Sequence, residues 1–113
     1  MIDTSFDVLH SALNGLMARQ SVIANNIANA STPGFQSSQV DFETALRSAV
    51  AGGTAPPTNP SVISATNAPS KQDGNNVNLD AETMSLAETE LRYQAIVNAV
   101  NGKFQVLKTA IEG

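Results

Sequence analysis

The sequence predicts an all-α fold, with long N- and C-terminal amphipathic helices packed antiparallel as a coiled coil, a short helix after a Thr-Pro-Gly turn, and a flexible middle loop. Three observations carry this reading. Apolar residues recur at heptad spacing near both ends of the chain, Pro33 and Gly34 interrupt it sharply, and residues 51 to 76 hold few large apolar side chains.

The N-terminal seam is Ile2, Phe6, Leu9, Leu13, Leu16, Gln20, Ile23, Ile27 and Ala30, whose steps alternate between four and three residues. That period keeps one stripe facing a partner helix along its whole length. Thr4 followed by Asp7 resembles a capping-box start, and Asp3 and Asp7 stand at the end of the helix dipole that favours negative charge. The helix is predicted from residue 4 to residue 30. Asn29, Ser31 and Thr32 compete for backbone hydrogen bonds there, and Pro33 disfavours a helical Thr32. Thr32-Pro33-Gly34-Phe35 has Pro and Gly in the order of a type II turn, which closes a first segment over residues 1–35.

Val40, Phe42, Leu46 and Val50 at mixed helical spacing predict a short helix within residues 36–50. Residues 51–79 contain Gly52-Gly53 and Pro56-Pro57, and read as a loop that orders on a partner, with a brief extended segment around Val62-Ile63. Asp80 and Glu82 mark the next helix start, so a C-terminal helix is predicted over residues 80–113, forming one domain with the first. Its seam is Leu86, Glu90, Tyr93, Val97, Val100, Phe104, Leu107 and Ile111. Gln20 and Glu90 are the polar members of the two seams, and polar seam residues either set register or face solvent.

Composition excludes several functions. The 113 residues carry six Lys and Arg against ten Asp and Glu, a net charge of −4, and the basic residues are scattered. A nucleic-acid footprint needs a basic patch, so no nucleic acid is expected as a partner. There is no cysteine, hence no disulfide, thiolate nucleophile or Cys-based metal site. Acidic residues at the N-terminus and the lack of a long apolar run argue against a cleaved signal peptide and a membrane span. His10 beside Ser11 and near Asp7 resembles a catalytic set only in composition, because adjacent helical residues point in different directions. Asp73-Gly74-Asn75-Asn76 lacks the Gly and closing Glu of a calcium loop. The chain is therefore read as non-enzymatic, with no cofactor, metal or small-molecule substrate.

Pairing the two helices does not use all their apolar surface. Val8, Met17 and Val22 lie outside the first seam, and Met84, Leu91 and Ile96 outside the second. A further stripe, Leu91, Ala95, Ala99 and Gly102, becomes small along its length. Candidate subunit-packing residues are Phe6, Leu9, Leu13, Leu16, Ile23, Ile27, Tyr93, Val97, Val100, Phe104, Leu107 and Ile111.

The string Ala24-Asn25-Asn26-Ile27-Ala28-Asn29-Ala30-Ser31-Thr32-Pro33-Gly34-Phe35 resembles the N-terminal signature of the bacterial flagellar axial proteins. Val40-Asp41-Phe42, the run from Asp73 to Glu82, and Leu91-Arg92-Tyr93-Gln94-Ala95 resemble the basal-body rod members, the proximal ones most. The resemblance covers both ends and spares about residues 48 to 70. It implies a structural subunit of the flagellar basal-body rod in the periplasm, assembling through its terminal helices and exported without a cleavable signal peptide. Implied partners are copies of itself, other rod subunits, the rod-base adaptor protein, the membrane ring and the flagellar export apparatus. Asn25, Asn26, Asn29, Thr32, Pro33, Gly34 and Phe35 form the signature turn, where side-chain hydrogen bonds would fix the turn and join subunits. Another rod segment, the hook, or an exported helical adaptor stays open as the alternative.

Overall fold

A computed structural model describes residues 4–112, so the expectations on Ile2 and Asp3 lie outside the described residues. Helix α1 spans Thr4–Ala28, strand β1 Ser38–Asp41, helix α2 Glu43–Ala51, strand β2 Val62–Ala65 and helix α3 Leu79–Glu112. At ~1.5 Å per residue α3 is about 50 Å long, which accounts for most of the molecule's 64 Å extent.

Helices α1 and α3 lie antiparallel. The Phe6 and Phe104 rings meet at 5.4 Å near one end, and Gln20 donates to Glu90 at 2.6 Å two-thirds of the way along α1. The polar seam residues thus face each other across the pair, at its solvent edge. Lys103 adds its ammonium over the Phe6 ring, 5.8 Å from the centroid.

The all-α expectation is corrected by a two-stranded antiparallel ribbon, in which Ser38 pairs with Ala65, Gln39 with Ser64, Val40 with Ile63 and Asp41 with Val62. Val40 belongs to β1 and Phe42 precedes α2, so the short helix starts later than residues 36–50 suggest. In so short a segment, Val40, Phe42 and Leu46 fit a strand followed by a helical turn as well as they fit a helix. The packing of β1 on α1 decides between them.

The core sits between α1 and the segment after the turn, and Leu16 in the middle of the predicted seam belongs to it. Ala12, Leu16, Val40 and Phe42 form the buried cluster, with Val22, Leu46, Tyr93 and Ile96 packed against it. Gly15 makes room for Phe42: a Cβ added there would lie 2.7 Å from Phe42 Cβ and Cδ1. A mid-helix Gly costs about 1 kcal/mol relative to Ala, and the ring seated over the bare backbone is what offsets it.

One ion-pair node joins all three helices. Arg19 of α1 donates to both carboxylate oxygens of Glu43, at 2.9 and 2.7 Å, and to the Val40 carbonyl at 2.7 Å. Its guanidinium also lies 4.6 Å from the Phe42 ring centroid. Arg92 of α3 reaches Glu43 at 3.2 Å and Glu88 at 2.6 Å. The Arg19 hydrogen bonds, together with those from backbone N–H groups, hold the Glu43 carboxyl at a pKa of about 2 against partial desolvation.

In the middle segment, expected to be a flexible loop, hydrogen bonds from α1 supplement the small apolar area. Ser11 of α1 donates to the Pro57 carbonyl at 2.7 Å and Asn14 to the Thr58 carbonyl at 2.8 Å. Ser11 is buried and turned away from the exposed His10, so the two form no catalytic dyad.

Two outcomes follow from this packing. Gly15→Ala should lower the urea midpoint despite Ala's better helix propensity, since overpacking against Phe42 costs about 1–3 kcal/mol. Glu43 has a depressed folded pKa, so its contribution is complete above the unfolded value of 4.5 and fades as pH falls toward about 2. Solvent exposure limits that contribution to about 1 kcal/mol. Comparing the pH dependence of thermal unfolding in wild type and Glu43→Gln should show the difference disappearing across that window.

Candidate functional site

Two regions are candidates: the turn after α1, and the long faces of α1 and α3. Residues that the sequence singles out contribute to both.

The turn is closed locally by Phe35 N–H donating to the Thr32 carbonyl at 3.2 Å. Gly34 has φ +75°, the positive value that the third residue of a type II turn requires. Asn29 Nδ2 donates to the Asn25 carbonyl at 2.8 Å, and Thr32 Oγ1 donates to Asn29 Oδ1 at 3.1 Å. These bonds add side-chain contacts to the backbone bond from Asn29 N–H to the Asn25 carbonyl, 3.1 Å, at the end of the helix.

The turn is then locked to the segment leading into α3. Asn75 is completely buried, and its Nδ2 donates to the Asn29 and Thr32 carbonyls, each at 2.8 Å. Its Oδ1 accepts from Val77 N–H at 2.8 Å. Gly34 N–H donates to the Asp73 carbonyl at 2.9 Å, and the Asn76 N–H to the Phe35 carbonyl at 3.2 Å. Asn76 Oδ1 accepts from Ser37 N–H at 2.6 Å while its Nδ2 donates to the Ala68 carbonyl at 3.2 Å. At Gly74, φ is +85° and an added Cβ would lie 3.3 Å from the Gly34 Cα, so two glycines permit the close approach.

Asn26 secures the other side. Its amide donates to the Ser38 carbonyl at 2.8 Å and accepts from the Ser38 N–H at 3.1 Å, a side chain serving as the next strand along β1. Within one chain, then, Asn26, Asn29, Asn75 and Asn76 are spent on fixing the turn, while Asn25, Thr32 and Pro33 lie at the surface. Asn75 and Asn76 escaped sequence reasoning as functional residues. Their signal was an Asn pair after Asp-Gly, which reads equally as a solvent turn. Arg19 and Glu43 were missed too, and nothing in their spacing announces that they meet.

The predicted packing residues divide along the helix pair. Leu16 and Ile23 are buried, and Phe6, Leu9, Leu13, Ile27, Tyr93, Val97 and Val100 are half-buried. Toward the C-terminus the face opens: Phe104, Leu107 and Ile111 are exposed, Ile111 at 83 %. On α3, Met84, Leu91 and Val106 are exposed as well, Leu91 and Val106 at 69 % each, and a Cβ added at Gly102 would point into open space. Among the described residues no group of three His, Asp or Glu side chains is arranged to hold a metal ion.

Asn75→Ala should lower stability by about 1–3 kcal/mol, since it leaves the buried Val77 N–H without its acceptor and takes the second donor from the Asn29 and Thr32 carbonyls, which keep one backbone N–H each. Asn75→Asp should cost more at neutral pH, because a carboxylate presents only acceptors to the Asn29 and Thr32 carbonyls. Denaturant unfolding of both variants tests the order.

Comparison with known proteins bears on both regions. Residues 6–36, which are α1 and its turn, match the model of the family described as flagella basal body rod protein. The chain is 35% identical to the flagellar basal body rod protein FlgB of Bacillus subtilis, over 93% of its own length and 91% of the relative's. FlgB of Borrelia hermsii is 32% identical over 99% of this chain and 98% of its own, and FlgB of Escherichia coli 29% over 98% and 95%. With both helices, the turn and the segment that locks it inside these alignments, the chain belongs to the flagellar basal body rod protein family, alongside the FlgB proteins.

Proposed function

We propose that this structural, non-catalytic subunit builds the flagellar basal-body rod through the outer faces of α1 and α3. The observation that carries the assembly route is the exposed apolar side of α3, with Met84, Leu91 and Val106 uncovered by the rest of the chain. A subunit that leaves this much apolar side chain in water gains stability when neighbouring copies cover it. Heptad spacing in both helices supports coiled-coil packing of the pair and its continuation into adjacent subunits. The small positions Ala95, Ala99 and Gly102 fit the close approach of a neighbouring helix.

In this reading Phe6, Leu9, Leu13, Leu16, Ile23, Ile27, Tyr93, Val97 and Val100 hold the pair together. Phe104, Leu107 and Ile111 extend it toward neighbours. The partners are copies of this chain and other rod subunits, with the rod-base adaptor protein and the membrane ring at the rod's end. The rod crosses the periplasm, and the subunit reaches it through the flagellar export apparatus.

Leu91→Asp combined with Val106→Asp should leave the isolated chain's helical circular dichroism intact while abolishing rod assembly and motility. Leu13→Asp should abolish both assembly and fold. Single substitutions between residues 54 and 60 should be mild in a swarming assay. Normal motility in the Leu91/Val106 double variant would remove the outer face of α3 from the assembly surface.

A further inference from the structure

The two long edges of the ribbon are treated differently. Thr66 N–H donates to the Ser37 carbonyl at 3.0 Å, which makes these two a hydrogen-bonded pair of the ladder. Alternation then assigns the inward bonds to Gln39 with Ser64 and Asp41 with Val62, and turns the backbone groups of Ser38, Val40, Ile63 and Ala65 outward. On the β1 side α1 meets them: Asn26 takes both Ser38 groups at 2.8 and 3.1 Å, and Arg19 takes the Val40 carbonyl at 2.7 Å. The β2 side is bare. All four of its residues are exposed, Val62 at 63 % and Ile63 at 61 %.

An open edge rich in β-branched residues is a template for another strand, and soluble proteins block such edges with Lys, inward charges or Pro. Here Pro60 and Pro69 bound the segment without interrupting it, and no charged residue occurs between Arg47 and Lys71. An uncharged edge is matched by an uncharged strand, since a charged one would lose hydration with nothing to pair it. Among the described residues, β2 itself is the uncharged strand with a free edge.

We propose that the outer edge of β2 docks β2 of a second copy of this chain, antiparallel about a two-fold axis through Ser64, forming a four-stranded sheet. In this register Ile63 of each copy exchanges N–H···O=C bonds with Ala65 of the other, and the two Ser64 residues face each other as a non-hydrogen-bonded pair. A two-fold contact closes on itself and generates no filament. It therefore differs from the repeating contact of a rod, leaves α1 and α3 uncovered, and does not rest on the rod reading. The strand contact is small beside the ~1,200 Å² of a stable complex, so the dimer forms at high concentration and exchanges quickly.

The test uses the full chain in sedimentation velocity from micromolar to millimolar concentration. Wild type should shift from monomer to dimer. Under oxidation Ser64→Cys should form an intermolecular disulfide, because facing residues of such a pair have Cα atoms ~4.5 Å apart. Ala55→Cys should not. Ile63→Pro removes an outward N–H without touching a β1 bond, and should weaken the dimer by about tenfold or more, since two symmetry-related bonds are lost. Ile63→Lys should do the same by placing a charge on the edge, and decides the matter if the Pro variant unfolds. A chain monomeric throughout, or a dimer that survives both Ile63 variants with Ser64→Cys uncross-linked, would overturn the proposal.

Discussion

The structure depends on a polar contact: the buried amides of Asn26, Asn75 and Asn76, which hold the chain leaving α1 against the chain entering α3. Each of these amides takes the place of a backbone partner, bonding groups that a helix end or a strand edge would otherwise leave to water. The side chains of Asn26 and Asn75 are almost fully enclosed, so their donors and acceptors must be matched inside the chain or left unpaired at considerable cost. That requirement fixes the geometry. Only when the turn, the ribbon and the start of α3 have their observed arrangement are all these groups satisfied together.

The apolar contacts are arranged around this frame. Seating Phe42 over Gly15 places β1 beside α1, and that placement lets Arg19 reach Glu43 and the Val40 carbonyl in one conformation. Arg92 then brings α3 to the same carboxylate. Helix α1 is consequently covered on two sides, by α3 along its seam and by the segment after the turn, whereas α3 is covered on one. The difference explains why the exposed apolar side chains concentrate on the C-terminal helix.

The helices were legible because period and length agree: the four-and-three steps of α1 and α3 persist over many turns, and no strand produces such a pattern. Their ends were legible within one or two residues, through Pro33 at one and Asp80 at the other. Of the ribbon, β2 was legible as the extended segment around Val62-Ile63; β1 was not, since a four-residue strand has too few positions to declare a period of two, and Val40 lies where a helical spacing to Phe42, Leu46 and Val50 also holds. The order of the middle segment escaped for a different reason. It comes from bonds between α1 side chains and distant carbonyls, such as Ser11 to Pro57, and sequence patterns carry apolar periodicity far better than such pairings. Gly15 was the one overlooked local clue, an unfavourable residue in a helix interior whose only reason is a neighbour pressed against the backbone.

The partners in the Asn75 contact have a kinetic consequence. Asn29 and Thr32 wait more than forty residues for the side chain that adds a second donor to their carbonyls and ties the turn to the rest of the chain. A nascent or extended chain carries α1 as a local helix of modest intrinsic stability, and its turn stays unpinned until nearly the whole length is available for loop closure. Such high sequence separation delays consolidation and keeps partial lengths pliable. The polypeptide thereby stiffens late, when its last helix arrives.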